Sequence, residues 1–414
     1  MSITRIRKLL AAILFISLFS VVPLEASSPF CADAGCAVAR QFLKQICDYI
    51  VQNKSNVPTI YIGGYYMRTL VAGYQIFGTR RYLNTAVRYA DGLLKKQNSR
   101  GYWLTGYGGI EVADTGSALG LFSALYPHVD KERQEKYVAA VERYFAALKK
   151  DGLIHPSGAF GYGWNTQPTP AARAHHLPLG SPNSERMTTM ENDDYTIATA
   201  LTGGEAFTWM YHVTGQDEYR QVAHKAISWI LGTMNEGGVI PYAAGNEGIF
   251  LDRQDDPRNY FDLWRLNIYQ ASTYGGEGII AFDLHCNQPE WKSELERRIK
   301  PQIEFLLLSQ NFKGTWGTQR GPSLDCLGDM DPTRSPGVVN LLIWYYEHVR
   351  KDPRVVTAVR RFDRFLLNPE QARAFGILSS GATYVRKCEN TDTVTSLTGY
   401  AVADILAPGV DARW

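Results

Sequence analysis

The chain has 414 residues, 45% of them hydrophobic and 20% charged, with a formal net charge of +2. This is ordinary globular composition, sized for one large domain or two medium ones. No Lys/Arg block interleaves with aromatics, so the basic footprint that a nucleic-acid binder needs is missing. Aromatic residues make up 12% of the chain, including 24 Tyr and 9 Trp, and many fall in loops, which suits stacking on sugar rings as well as core filling.

In chain order, the first element is a targeting signal. Arg5, Arg7 and Lys8, the apolar run LLAAILFISLFSVV and small residues near Ala26 to Ser28 predict a cleaved secretory leader over residues 1–28. The apolar run is short for a membrane span, and no later stretch reaches that length. The expectation is a periplasmic or secreted monomer with no membrane contact after cleavage. Six cysteines follow: Cys31, Cys36, Cys47, Cys286, Cys326 and Cys388. An even count in an exported chain predicts at least one disulfide. Cys31 with Cys36 or Cys47, and Cys326 with Cys388, are the candidate pairs. No Cys pair has zinc spacing, and no metal or cofactor is expected.

From Ala37 onward the apolar periodicity is helical. The stretch YYMRTLVAGYQIFGTRRYLNTAVRYADGLLKKQ reads as two helices joined at Gly78, and EAFTWMYHVTGQDEYRQVAHKAISWILGTM repeats the plan around Gly215. Glycine ends the first helix of each pair because it tolerates the left-handed C-terminal conformation. Further pairs follow from DTGSALGLFSALYP, TYGGEGIIAFDLHC and SPGVVNLLIWYYEHVRKDPRVVTAVRRFDRFLL, with terminal helices around CDYIVQN and TSLTGYAVADILA. The sum is about twelve helices in about six hairpins, each near the usual helix length. Linkers within a hairpin are short, while those between hairpins are long and rich in Gly, Asn, Asp and aromatics. A ring of inner and outer helices would place the long linkers on one rim; an open superhelix is the other arrangement of stacked pairs. No linker reads as a domain boundary, so residues 29–414 are expected to form one domain.

Acids cluster where the long linkers enter helices. In GYWLTGYGGIEVADTGSALG the candidates are Glu111 and Asp114, and in MENDDYTIATAL they are Asp193 and Asp194. Each could be an ordinary helix cap. Their recurrence on one class of loop also suits glycosidic cleavage, where one carboxyl must be protonated and another ionised. Asp114 with Asp193 or Asp194 is the favoured pair. Sugar-binding candidates are Tyr65, Trp103, Tyr107, Trp164, His175, His176, Arg186, Tyr195, Trp264, Trp316 and Arg334. His155 reads as a helix or core histidine. A Ser nucleophile elbow, a dinucleotide fingerprint and an EF-hand loop are all lacking. Beside glycoside hydrolysis stand a polysaccharide lyase or uronate epimerase using Tyr, His and Arg, and a non-catalytic α/α module that binds glycans or a protein.

The stretch IGGYYMRTLVAGYQIFGTRRYLNTAVRYAD resembles the first hairpin of the unsaturated glucuronyl and rhamnogalacturonyl hydrolases, members of the six-hairpin glycosidase and polysaccharide lyase superfamily. ADTGSALG is similar to their Asp-x-Gly element, and NDDYTIATAL to their second acidic helix start. The resemblance implies an (α/α)6 toroid acting on a poly- or oligosaccharide, uronate-containing in the nearest family. It places Asp114 on a catalytic position and Asp193 or Asp194 as proton donor. Ser117 stands where the family usually has Phe.

Overall fold

In the computed structural model, the structure describes residues 28–32, 36–57, 60–104, 110–161, 163–164, 194–240, 243–244, 276–286, 288–312, 314–316, 335–368 and 391–410. The stretch read as a leader lies outside them, except Ser28, whose hydroxyl donates to the Ile405 carbonyl. The described segments are helices with four two-residue strands.

The helices are α1 (Cys36–Asn53), α2 (Ile60–Phe77), α3 (Arg80–Lys96), α4 (Val112–Leu125) and α5 (Lys131–Lys150). Next, α6 runs continuously through Thr196–Ala198, a π-helical stretch Thr199–Ala206, and Phe207–Thr214. Then come α7 (Asp217–Thr233), α8 (residues 276–285), α9 (Pro289–Ser309), α10 (Ser335–Trp344), α11 (Pro353–Leu367) and α12 (Thr391–Leu406).

Sequence sorts them into two layers. Every α4 residue from Thr115 to Leu125 is buried, and α2 is buried nearly throughout from Gly63 to Gly73. A helix apolar all round belongs inside. By contrast, α3 buries Tyr82, Leu83, Ala86, Ala90 and Leu93 on one face and gives the other to charged residues, the pattern of an outer helix. The even-numbered helices form the inner layer. α2 packs on α4, α4 on α6, α10 on α12, and α12 returns to α2. Gly278 of α8 lies against Ala200 of α6, and Gly276 against Leu341 of α10. The ring closes, and the fold is the (α/α)6 toroid rather than an open superhelix. Both expected helix–Gly–helix joints are present, with Gly78 at φ 68° and Gly215 at φ 69°.

One turn recurs after four outer helices. Gly101, Gly158, Gly238 and Gly314 all have positive φ. Each presses on a backbone carbonyl of the next outer helix, those of Arg143, Lys225, Pro301 and Arg361. A side chain at any of them would collide with that carbonyl, so glycine fixes the spacing between hairpins.

The first and fourth copies share a sequence, QNSRGYW and QNFKGTW. Gln97 donates to the Gly101 and Ala140 carbonyls at 2.9 and 2.7 Å, as Gln310 does to Gly314 and Ala358 at 2.9 and 2.8 Å. The indole N–H of Trp103 donates to the Leu93 carbonyl at 2.8 Å, and that of Trp316 to Leu306 at 2.7 Å. Trp103 and Trp316, expected as sugar platforms, are therefore wedges of the core, 1% and 0% exposed. Their place in a loop looked functional; the repeat explains it structurally.

Of the cysteines, Cys31 and Cys36 are bonded, Cys47 and Cys286 are buried free thiols, and Cys326 and Cys388 lie outside the described residues. Among the described residues no helix is long and apolar enough to cross a membrane.

Candidate active site at the mouth of the ring

Two short strand pairs frame one end of the inner layer. β1 (Ile110–Glu111) leads into α4 and pairs antiparallel with β2 (Gly163–Trp164), Glu111 opposite Gly163. β3 (Asp194–Tyr195) leads into α6 and pairs with β4 (Ala243–Ala244), Tyr195 opposite Ala243. These pairs hold the chain where it enters the inner helices, so Glu111, Asp114 and Asp194 come from fixed backbone.

Asp114 lies in the first turn of α4 and is partly buried. Burial, then the charge of Glu111 and a hydrogen bond shared with its side chain, hold the Asp114 carboxyl well above the usual carboxylate range. Like charges this close cannot both ionise freely, so the pair keeps a proton. Ser117, one turn on, fixes this corner: its hydroxyl reaches the Asp114 carbonyl at 2.9 Å and the Tyr61 carbonyl at 3.0 Å. A residue as large as Phe would not fit there, because Gly64 of α2 already lies against Ser117.

Asp194 does not join that pair. Its carboxylate contacts His155 Nδ1 at 2.7 Å and accepts from the indole of Trp229 at 3.2 Å and the Ser157 hydroxyl at 3.4 Å. Trp229 belongs to the outer helix α7, and His155 and Ser157 to the turn after α5. Asp194 thus braces the start of α6 against outer-layer elements, α7 and the turn after α5. His155 is a turn residue rather than a helix or core histidine. Tyr195, a proposed sugar contact, is 3% exposed and offers no open ring face.

Below the mouth, the bore is crossed by a buried polar group that sequence reading missed. Arg68 of α2 pairs with Glu205 of α6 at 2.8 Å and Glu277 of α8 at 3.1 Å, and donates to the Tyr400 hydroxyl of α12 at 2.7 Å. Tyr65, expected to stack on sugar, is fully buried and donates to Glu277 at 2.7 Å. Burial, then the Glu277 carboxylate, push its phenol well above the usual range, so it remains a donor. α4 makes room with Gly120, where a Cβ would stand 2.6 Å from the guanidinium. In ring order α2 and α8 are opposite, so Arg68–Glu277 spans the bore. The signal was present as a single Arg in an otherwise uncharged α2 and a Glu between glycines in TYGGEGII.

Tyr107, Asp193, His175, His176, Arg186, Trp264 and Arg334 lie outside the described residues, and for Trp164 the description stops at the backbone.

No family model matches the chain, and a comparison with curated proteins finds no match. Solved structures do match. A polysaccharide lyase superposes with a TM-score of 0.59 at 12% identity, covering 90% of this chain and 97% of its own. An unsaturated glucuronyl hydrolase from a Bacillus species gives 0.59 at 14% identity, with 89% and 96% covered. A type II terpene cyclase from Scytonema gives 0.54 at 12% identity, with 90% and 98% covered. At these identities the likeness shows the six-hairpin fold expected from the sequence, and the cyclase shows that this fold also serves non-sugar chemistry.

Proposed function

We propose that the protein is an exported carbohydrate-active enzyme that hydrolyses glycosidic bonds in an oligo- or polysaccharide, with Asp114 donating the proton to the leaving oxygen. The observation that carries this reading is the Glu111–Asp114 pair, two carboxyls sharing a hydrogen bond where β1 enters α4, an arrangement whose burial and like charge favour the protonated acid. Glycosidic cleavage needs such an acid, because an alkoxide leaves poorly unless it is protonated as the bond breaks. The lyase and glucuronyl hydrolase among the similar structures support a sugar substrate, uronate-containing polymers first. The basic and apolar N-terminal pattern and the Cys31–Cys36 bridge support export.

The test is a panel of neutral and uronate-containing glycans, read for new reducing ends and for the ultraviolet absorbance of an unsaturated sugar. Reducing ends without absorbance, lost in Asp114→Asn, are expected. Absorbance would assign an eliminating lyase instead, and neither signal would assign a binding module.

A further inference from the structure

An acid pair is only as well placed as the backbone that carries it, and three hydroxyls hold this one. Thr115 donates to the Glu111 carbonyl at 3.0 Å, Ser117 reaches the Asp114 carbonyl at 2.9 Å, and Thr202 donates to the Val112 carbonyl at 3.1 Å. Thr115 and Ser117 belong to α4 itself. Thr202 comes from α6, 90 positions along the chain from its acceptor.

The other threonines of α6 show what sets Thr202 apart. Thr199, Thr208 and Thr214 turn back to the carbonyls of Tyr195, Gly204 and Met210, at 2.7, 2.6 and 2.6 Å. Bonding to the carbonyl one turn earlier is the ordinary habit of a helical threonine. Thr202 lies inside the π-helical stretch Thr199–Ala206, where the Phe207 N–H meets the Thr202 carbonyl five residues back. Such a stretch widens the helix locally, and bulges of this kind recur at functional sites. Here it lies against α4: a Cβ at Gly116 would stand 2.5 Å from the Leu201 Cβ and 3.1 Å from the Thr202 hydroxyl. Glycine at that position lets α6 approach closely enough to bring Thr202 to Val112, between Glu111 and Asp114. A carbonyl has two lone pairs, so Val112 can accept this bond beside its helical one.

Resting on the reading of Asp114 as the acid, we propose that Thr202 is a positioning residue of the acid pair: its hydroxyl ties the β1–α4 junction to α6 and keeps Glu111 and Asp114 facing each other. β2 holds the Glu111 backbone from one side, and Thr202 holds the next residue from another. Without that tie the helix start can shift, Asp114 moves away from Glu111 and towards water, and its proton is held less tightly. Among the described residues Glu111 is the charge that acts on Asp114. The phenols of Tyr65 on α2, Tyr89 on α3 and Tyr144 on α5 are kept neutral by burial. Arg68 and Glu205 answer each other deeper in the ring, beside Gly120.

The experiment follows the Asp114 carboxyl directly in the full chain. Aspartate labelled with ¹³C at its side-chain carboxyl is titrated by NMR, and the signal lost in Asp114→Asn identifies the residue. Thr202→Val removes the hydroxyl and keeps the shape. Its Asp114 midpoint should fall by about 0.5–1 pH unit, and Thr202→Ser should restore the wild-type value. On a glycan the wild type cleaves, the alkaline limb of the pH–rate profile should move down by the same amount. That lowers kcat about 3- to 10-fold above the limb with KM unchanged. Thr208→Val is the control, because it removes a buried hydroxyl from the same helix. It should lower the melting temperature without moving the midpoint. Thr202→Ala takes the place of the valine variant if that does not fold. An unmoved Asp114 midpoint in T202V, or in T202A in its place, would overturn the proposal, and so would an equal fall in T208V. Full activity in D114N, or no cleavage of any glycan by the wild type, would overturn the reading of Asp114 as the acid, while the titration still decides whether Thr202 holds the pair.

Discussion

Asp114 and Glu111 share one hydrogen bond between two carboxyl groups, three residues apart across the junction of β1 and α4. The strand fixes one and the helix the other, so the pair cannot relax apart by rotating a loop. Replacing Glu111 by Gln removes the charge that helps hold Asp114 protonated. A general acid works only while protonated, so activity falls as pH rises through its pKa. Glu111→Gln should move that alkaline limb to lower pH, and a pH–rate profile with an unmoved alkaline limb would remove Glu111 from the coupling.

Asp194 should behave as a brace. Asp194→Asn weakens its contacts with His155 and Trp229 and should cost about 1–3 kcal/mol of stability, the usual loss for a charged hydrogen bond. Turnover per folded molecule should persist. Denaturant unfolding run beside an assay separates the two, and loss of turnover at unchanged stability would return Asp194 to the chemistry.

Arg68 holds two buried glutamates. Arg68→Met leaves both uncompensated and should destabilise by about 3–5 kcal/mol, the cost of breaking a buried ion pair from one side. The exposed pair Lys149–Glu218 serves as the control, and removing it should have little effect on the melting temperature.

Asp363 of α11 is buried and accepts a hydrogen bond from the Ala32 backbone at 2.7 Å. Burial pushes its carboxyl up to about 6. Unfolded, it ionises near 3.9, so the folded state binds its proton more tightly than the unfolded one. The stabilisation is complete below about pH 4 and is lost as pH rises through 6, a change of about 3 kcal/mol. Between pH 4 and 7 the melting temperature of the wild type should therefore fall relative to Asp363→Asn. Parallel curves would show that Asp363 does not titrate in this range.

Gly92 in α3 and Gly116 in α4 offer a paired test of packing. A methyl at Gly92 meets open space, while one at Gly116 meets Leu201. Gly92→Ala should stabilise by about 0.5–1 kcal/mol and Gly116→Ala destabilise by about 1–3 kcal/mol, measured by urea unfolding.

The helices were legible because burial imposes a period: α2 reads as an all-round apolar helix and α3 as a one-sided one, each from its own residues. The Gly78 and Gly215 joints were legible because few other residues adopt that backbone. The site was legible only in part. Asp114 announces itself by a local pattern, but the partners of Asp194, namely His155, Ser157 and Trp229, are set by tertiary contacts that no spacing encodes. Trp103 and Trp316 misled because an aromatic after a glycine turn looks the same whether it faces sugar or wedges a helix. Glu277 escaped notice because its meaning lies in Arg68, 209 positions away.

The return of α12 to α2 carries a consequence for how the chain comes to be folded. α2 is among the first helices to be synthesised, yet one of its two inner-layer neighbours is the final 16-residue helix, Thr391–Leu406. Until that segment arrives, Tyr400 cannot reach Arg68, and Ser28 has no Ile405 to hold. Contacts of such long sequence separation form late and slowly. The outer turns can stitch each hairpin to the next as it emerges, but an arc of five hairpins leaves an apolar flank of α2 in water. A nascent chain, or one clipped before Thr391, therefore keeps an adhesive edge along α2 that α12 covers once it docks.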